Sequence, residues 1–164
     1  MNKLLLKKCV TGFQTGADRA ATLTAMALGY EVGGFMPLGW LAEDGPQPWA
    51  EELGLWQWHT ANYIDRTVAN VAMSDAVIIF GKRSAGSNRT EESARRQGRP
   101  CLWLPDIHST HPETLTQPLK LLAVNQKRYM KQLREFLVDF EVKTLDIAGN
   151  RESVLPGVQA AVSE

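Results

Sequence analysis

Val10-Thr11-Gly12-Phe13-Gln14-Thr15-Gly16-Ala17-Asp18-Arg19-Ala20 (VTGFQTGADRA) stands close to the start of the chain. An apolar run ends at Thr11, two glycines bracket three residues, and small residues follow. The pattern predicts a strand over Leu4–Thr11, a turn, and a helix over Gly16–Leu28 with Gly29 as its left-handed stop. Two readings of the turn stand side by side. Gly12 and Gly16 allow a ligand close to the backbone, and the free N–H groups of a helix start favour a phosphate. Equally, Thr15 and Asp18 have the spacing of a capping box. The stretch is neither G-x-G-x-x-G nor a Walker loop. Asp18 would repel a phosphate, so it suits a cap or an acceptor for a ligand hydroxyl. Arg19 supplies a positive charge or a surface ion pair.

Strand and helix signals alternate outward from there. Tyr30–Phe35 reads as a second strand, Asp65–Met73 as a helix, and Ala76–Phe80 as a central strand buried on both faces. Gly81–Asn88 reads as a polar loop, Thr90–Gln97 as a helix, and Cys101–Leu104 as a strand. Asn125–Phe140 is an amphipathic helix with Tyr129, Met130, Leu133, Phe136, Leu137 and Phe140 on one face. Val142–Ala148 is the last strand, and a short helix ends the chain. The segment Met36–Tyr63 departs from this rhythm. It holds four of the five tryptophans, Trp40, Trp49, Trp56 and Trp58, among prolines and glycines. It reads as an ordered excursion with a turn or two of helix at Pro48–Leu53. The whole is one α/β domain over residues 1–164, a mainly parallel sheet with helices on both faces.

Lys+Arg and Asp+Glu balance at 18 each, which gives no support for bulk nucleic-acid binding. The first residues, MNKLLLKKC, lack the apolar length of a signal peptide, and no run suits a membrane span. Cys9 and Cys101 lie in apolar segments and read as buried thiols in a reducing cytoplasm. With them, His59, His108 and His111 show no metal-ligand spacing. Parallel sheets bind ligands at the carboxyl ends of their strands. Three loops end strands in that way: Gly12–Gly16, Gly81–Asn88 and Gly149–Ser153. The second combines Lys82, Arg83, Ser84, Gly86, Ser87 and Arg89 ahead of a helix that Ser87 or Asn88 would cap.

Thr11-Gly12-Phe13-Gln14-Thr15-Gly16-Ala17-Asp18-Arg19-Ala20-Ala21 resembles the (S/T)-G-G-Q-T-G-x-D-R-A-A signature of the putative molybdenum carrier family, part of the SLOG, or lysine-decarboxylase-like Rossmannoid, superfamily. In order, Gly33-Gly34-Phe35-Met36-Pro37-Leu38-Gly39 resembles G-G-W-x-P-K-G, and Ala42-Glu43-Asp44-Gly45 matches A-E-D-G. Tyr63-Ile64-Asp65-Arg66-Thr67 with Asn70, Ser74 and Asp75 resembles Y-x-x-R-T-x-x-N-x-x-x-S-D. Leu145–Ser153 with Pro156-Gly157 resembles L-N-V-A-G-P-R-x-S…P-G. The resemblance implies a Rossmann-like doubly wound fold and a pocket for a phosphorylated small molecule, a nucleotide or the molybdenum cofactor, whose pterin carries a phosphate. It implies a first cradle of Gly12, Gln14, Thr15 and Gly16. Ser84, Gly86, Ser87 and Thr90 would form a second with Arg89 neutralising charge, and Arg151 with Ser153 a third side. Asp18, Glu43 and Asp44 would contact hydroxyls or ring nitrogens, or brace loops. Asn70 and Asp75 would hold the helix-to-strand turn.

This chain departs from the pattern at Phe13, where relatives have glycine, and at Leu38 and Trp40, where they have cations. Those changes suit a flatter ligand stacked on Phe13 or Trp40, or else a subunit interface. A binding, carrier or sensor protein is the leading expectation. The superfamily also includes nucleotide phosphoribohydrolases. Gly86–Glu91 only loosely echoes their motif, leaving Glu91 and Glu92 as candidate acids. A protein-interaction module built on the tryptophan-rich excursion is a further alternative. Relatives imply a homo-oligomer, a dimer or tetramer.

Overall fold

The unbroken apolar run Ala76–Phe80 forms strand β7 at the heart of a five-stranded parallel sheet. A computed structural model describes residues 3–105, 119–156 and 158–163; His108 and His111 lie outside them. Chain order gives β1 (Lys8–Val10), α1 (Ala17–Ala27), β2 (Glu31–Gly33), β3 (Phe35–Met36), β4 (Leu41–Ala42) and β5 (Gly45–Pro46). A 3-10 helix over Pro48–Leu53, β6 (Trp56–Gln57), α2 (Tyr63–Ala72), β7, α3 (Ala85–Arg96) and β8 (Cys101–Leu104) follow. The described chain ends with α4 (Leu119–Asp139), β9 (Thr144–Gly149) and α5 (Val158–Ser163). Among the described residues no helix is long and apolar enough to cross a membrane.

The strand order is β2-β1-β9-β7-β8, every pairing parallel. The last strand thus lies in the middle of the sheet. Counted as if β9 came first, the order becomes 3-2-1-4-5, that of one doubly wound nucleotide-binding arrangement. The topological switch point falls between β9 and β7, where a crevice opens at the strand ends.

Alternation along β7 divides the core. Ala76 and Ile78 pack with Leu104, Leu137, Val142 and Leu145 under α4. Val77 and Ile79 pack with Val71 of α2 and Ala94 of α3 on the opposite face. On the amphipathic helix Leu137 is buried, whereas Met130 and Phe140 are exposed. Cys9 and Cys101 are free, and burial pushes both thiols up to about 11.

Expectations shift at several element ends: the first strand narrows from Leu4–Thr11 to Lys8–Val10, and the helices read as Asp65–Met73 and Asn125–Phe140 run over Tyr63–Ala72 and Leu119–Asp139. The predicted second strand breaks at Gly34, where φ is 124° and a Cβ would strike the Thr11 carbonyl. Phe35–Met36 then leaves the main sheet to pair with β6. α1 starts at Ala17 with Gly16 as N-cap and no side-chain cap, so Thr15 and Asp18 form no capping box. α3 starts at Ala85 rather than Thr90, because Ser84 caps it and Ser87 completes a capping box. Gly86, Ser87, Asn88 and Arg89 are therefore in the first turns of a helix, not in a loop. The predicted Val142–Ala148 strand begins at Thr144.

The excursion after β2 has its own core: Met36, Ala42, Ala50 and Leu55 close around Phe13, with Val32, Trp40 and Leu53 packed against them. Asn70 of α2 ties this unit to the sheet. Its side chain accepts from Phe35 N–H at 2.7 Å and donates to the carbonyls of Thr11 and Phe35, both at 3.2 Å. Asp75 accepts from Lys143 and Thr144 N–H at 2.9 and 2.8 Å, holding the entry to β9. Asn70→Ala leaves buried backbone groups unpaired and is expected to destabilise the fold by about 2–4 kcal/mol in urea unfolding.

Candidate functional site

A cavity of about 100 Å³ sits at the switch point. Gln14 and Asp18 wall it from the first loop and α1, and Tyr63, Ile64, Arg66 and Thr67 from α2. Gly86, Arg89 and Thr90 of α3 and Ala148, Gly149 and Arg151 at the end of β9 complete it. All three strand-end regions singled out in the sequence thus reach one place. A liquid water occupies about 30 Å³, so the cavity suits a small anionic group rather than a whole organic ligand, which takes about 300 Å³ or more.

Three arginines from three elements converge here. Arg66 lies within the wall, its guanidinium 4.0 Å from the Asp18 carboxylate. Burial pulls Arg66 below its usual value, and Asp18 and Asp146 offset part of that. Burial pushes Asp18 up, opposed by Arg66 and by backbone hydrogen bonds from Gln14 and Gly12. The Arg151 guanidinium stacks over the Tyr63 ring at 4.9 Å, and Arg66 lies 6.0 Å from the same centroid. Tyr63 thereby positions both cations through its π face. Arg89 is exposed at the rim, with no ion pair among the described residues.

Asp146 lies just behind, on β9, and is 3% exposed. Burial, reinforced by Asp18, pushes its carboxyl to about 8, against the pull of Arg66. Burial thus favours its neutral form, and three arginines against the two acids Asp18 and Asp146 leave the site net positive.

The glycines of the opening stretch serve protein rather than ligand. Residues 11–18 are all buried. A Cβ on Gly12 would overlap the Arg66 guanidinium, and one on Gly16 the Asn150 carbonyl. Gly149 is equally closed, against the Phe80 carbonyl at 2.5 Å. Of the expected first cradle, only Gln14 lines the cavity.

Phe13 is fully buried, edge-on to Trp49 at 5.0 Å with Arg19 over its ring at 5.1 Å. It is a core residue and has no free face for stacking. Trp40 packs against the same cluster and does not line the cavity. Arg19 pairs with Asp44 at 2.7 Å. Glu43 accepts from the Thr15 hydroxyl, from the Ser153 hydroxyl at 2.5 Å and from Ser153 N–H at 3.3 Å. Burial raises that carboxyl, but these hydrogen bonds and Arg151 hold it below its usual range. Ser84 and Ser87 are occupied with each other. Asp44, Glu43, Thr15 and Ser153 thus clasp the β4–β5 hairpin to the two loops instead of facing a ligand.

Glu91 and Glu92 lie in a separate groove with Asn88, Arg95, Arg99 and Cys101. Glu91 pairs with Arg83 and Glu92 with Arg96, each at 2.7 Å. Neither reaches the cavity as an acid. Among the described residues no group of three His, Cys, Asp or Glu side chains could hold a metal ion.

Tyr63, Arg66 and Asp146 were absent from the expected site. The signals existed: Tyr63 and Arg66 are three apart, hence on one helix face, and Asp146 is an acid inside an apolar strand.

Two measurements check this geometry. Phe13→Gly relieves a positive φ of 52° but empties a packed site, and a net loss of about 2–4 kcal/mol is expected; a gain would show that backbone strain outweighs packing. Asp146 keeps its proton in the native state up to about 8, whereas an unfolded Asp loses it near ~3.9. The native state then binds more protons between these values, and its stability falls as pH rises across that window. Asp146→Asn lacks this fall. Its stability advantage in urea unfolding should grow from pH 4 to pH 8 and level off above, reaching on the order of 2–5 kcal/mol; parallel stability-versus-pH curves would refute the assignment.

Comparison with known proteins fits these features. A family model described as the circularly permutated YpsA SLOG family matches residues 9–164. The crystal structure of a putative molybdenum carrier protein from Syntrophus aciditrophicus SB is similar over 98% of this chain and 92% of that one, with 30% identity and a TM-score of 0.83. No curated protein matches. The central position of β9 is the mark of permutation in this sheet. The chain belongs to the circularly permutated YpsA SLOG family.

Proposed function

We propose that this protein binds a phosphate-bearing small molecule by its anionic group and acts as a carrier or sensor for it. One observation carries the reading: Arg66, Arg89 and Arg151, from three separate elements, line one cavity at the switch point of a doubly wound sheet. Charge-assisted hydrogen bonds from arginine are the strong ones for phosphate. The volume suits the phosphate alone, so the organic part would lie outside, over Tyr63 and Ile64.

The related structure bears the name of a molybdenum carrier, which makes the phosphate-bearing molybdenum cofactor one candidate cargo and a nucleotide another. The donor set fits an anionic cargo. A bare metal cation would meet three arginines, an amide and the single carboxylate of Asp18 instead of a cluster of carboxylates, imidazoles or thiolates. The free thiols of Cys9 and Cys101 support a reducing, cytoplasmic setting.

Isothermal titration with inorganic phosphate and with a nucleoside 5′-monophosphate tests the reading. Arg89→Ala should weaken binding about 10- to 100-fold. It should leave the Tm of the unliganded protein unchanged, because Arg89 is exposed and forms no ion pair among the described residues. Absence of any binding by the wild type would refute it.

A further inference from the structure

Arg66, Arg89 and Arg151 line the cavity, yet among the described residues none of their guanidiniums hydrogen-bonds to the protein. Arg66 comes nearest, and its 4.0 Å approach to Asp18 is too long for a hydrogen bond. Arginines elsewhere in the chain are used differently: Arg19, Arg83, Arg95, Arg96 and Arg99 each donate to a carboxylate or a carbonyl. Arg66 is also enclosed, its side chain 12% exposed, and a cation so placed is costly without acceptors. The Tyr63 ring holds Arg151 at 4.9 Å and Arg66 at 6.0 Å by attraction to its π face. That contact leaves their N–H groups for a ligand.

A phosphate monoester matches this arrangement. Its phosphoryl group presents three free oxygens and carries about −1.5 to −2 charge at pH 7. The three guanidiniums reach it from α2, from α3 and from the loop after β9. A phosphodiester presents two free oxygens and a single charge, and carries substituents on both sides of its phosphorus. A cavity of about 100 Å³, walled by α1, α2, α3 and the end of β9, suits a group that ends inside it better than one that passes through. We propose that the cavity is a terminal-phosphate site, which selects phosphate monoesters with one arginine to each free oxygen and rejects phosphodiesters and cyclic phosphates. This rests on the anion-binding reading above and narrows it to ligands whose phosphate is the end of the molecule.

Titration calorimetry of the wild-type protein at neutral pH and fixed ionic strength decides the matter. The probes are inorganic phosphate, a nucleoside 5′-monophosphate and the 3′,5′-cyclic phosphate of the same nucleoside. The two nucleotides share base and sugar and differ in whether the phosphate ends the molecule. The 5′-monophosphate is expected to bind at least about tenfold more tightly than the cyclic form. Arg89→Ala should bring the two affinities closer, because the monoester loses a partner for an oxygen that the diester does not have free. A cyclic form that binds as tightly as the 5′-monophosphate, or more tightly, overturns this proposal and leaves the anion site standing. Binding of inorganic phosphate with neither nucleotide does the same, as does a ratio unchanged in Arg89→Ala. Binding of none of the three probes overturns both readings.

Discussion

The guanidinium of Arg66 is the piece around which the site is organised. It comes from α2, on the far side of the excursion, and fills the space that Gly12 leaves by having no side chain. Asp18 faces it from α1, and Asp146 feels it from β9. A buried cation is costly unless paired, so the three elements that supply Arg66 and these carboxylates must arrive together. The first loop is held from inside, and its shape depends on that charge more than on any ligand.

Outside, the β4–β5 hairpin holds the same loop. Leu41 takes the Gln14 amide, Glu43 joins Thr15 to Ser153, and Asp44 holds Arg19. Phe13 locks the hairpin's small core onto the turn. Residues that read as ligand contacts are thus bound to one another, which leaves the cavity to a smaller set. Arg151 benefits in particular, since the clasp at Ser153 fixes the loop that carries it. The exposed pair Arg19–Asp44 adds little energy by itself. Its value is register, because it fixes where the hairpin lies along α1.

Much of the fold was legible in the sequence. β7 and β8 fall on their predicted residues, because an unbroken apolar run between polar turns admits few alternatives. Gly29 stops α1 in the left-handed conformation, as its place after an alanine-rich helix suggests. The start of α3 was misjudged because Ser84, Ser87 and Asn88 are all good caps, and only the bond between Ser84 and Ser87 selects one. The candidate site was legible only in part. Gln14, Asp18, Gly86, Arg89, Thr90 and Arg151 line one cavity, whereas Phe13, Trp40 and the glutamates of α3 belong to other surroundings.

What the sequence by itself determined is local: the alternation of strand and helix, the glycine-bearing turns at strand ends, and the family pattern those turns compose. These follow from periodicity and backbone freedom within a few neighbouring residues. The tertiary structure alone decided that β9 lies between β1 and β7, that a distant arginine occupies the room at Gly12, and that burial pushes the Asp146 carboxyl up beside it. Each of these depends on residues far apart in the chain competing for the same buried space, where burial and charge are settled jointly and no short stretch carries the answer.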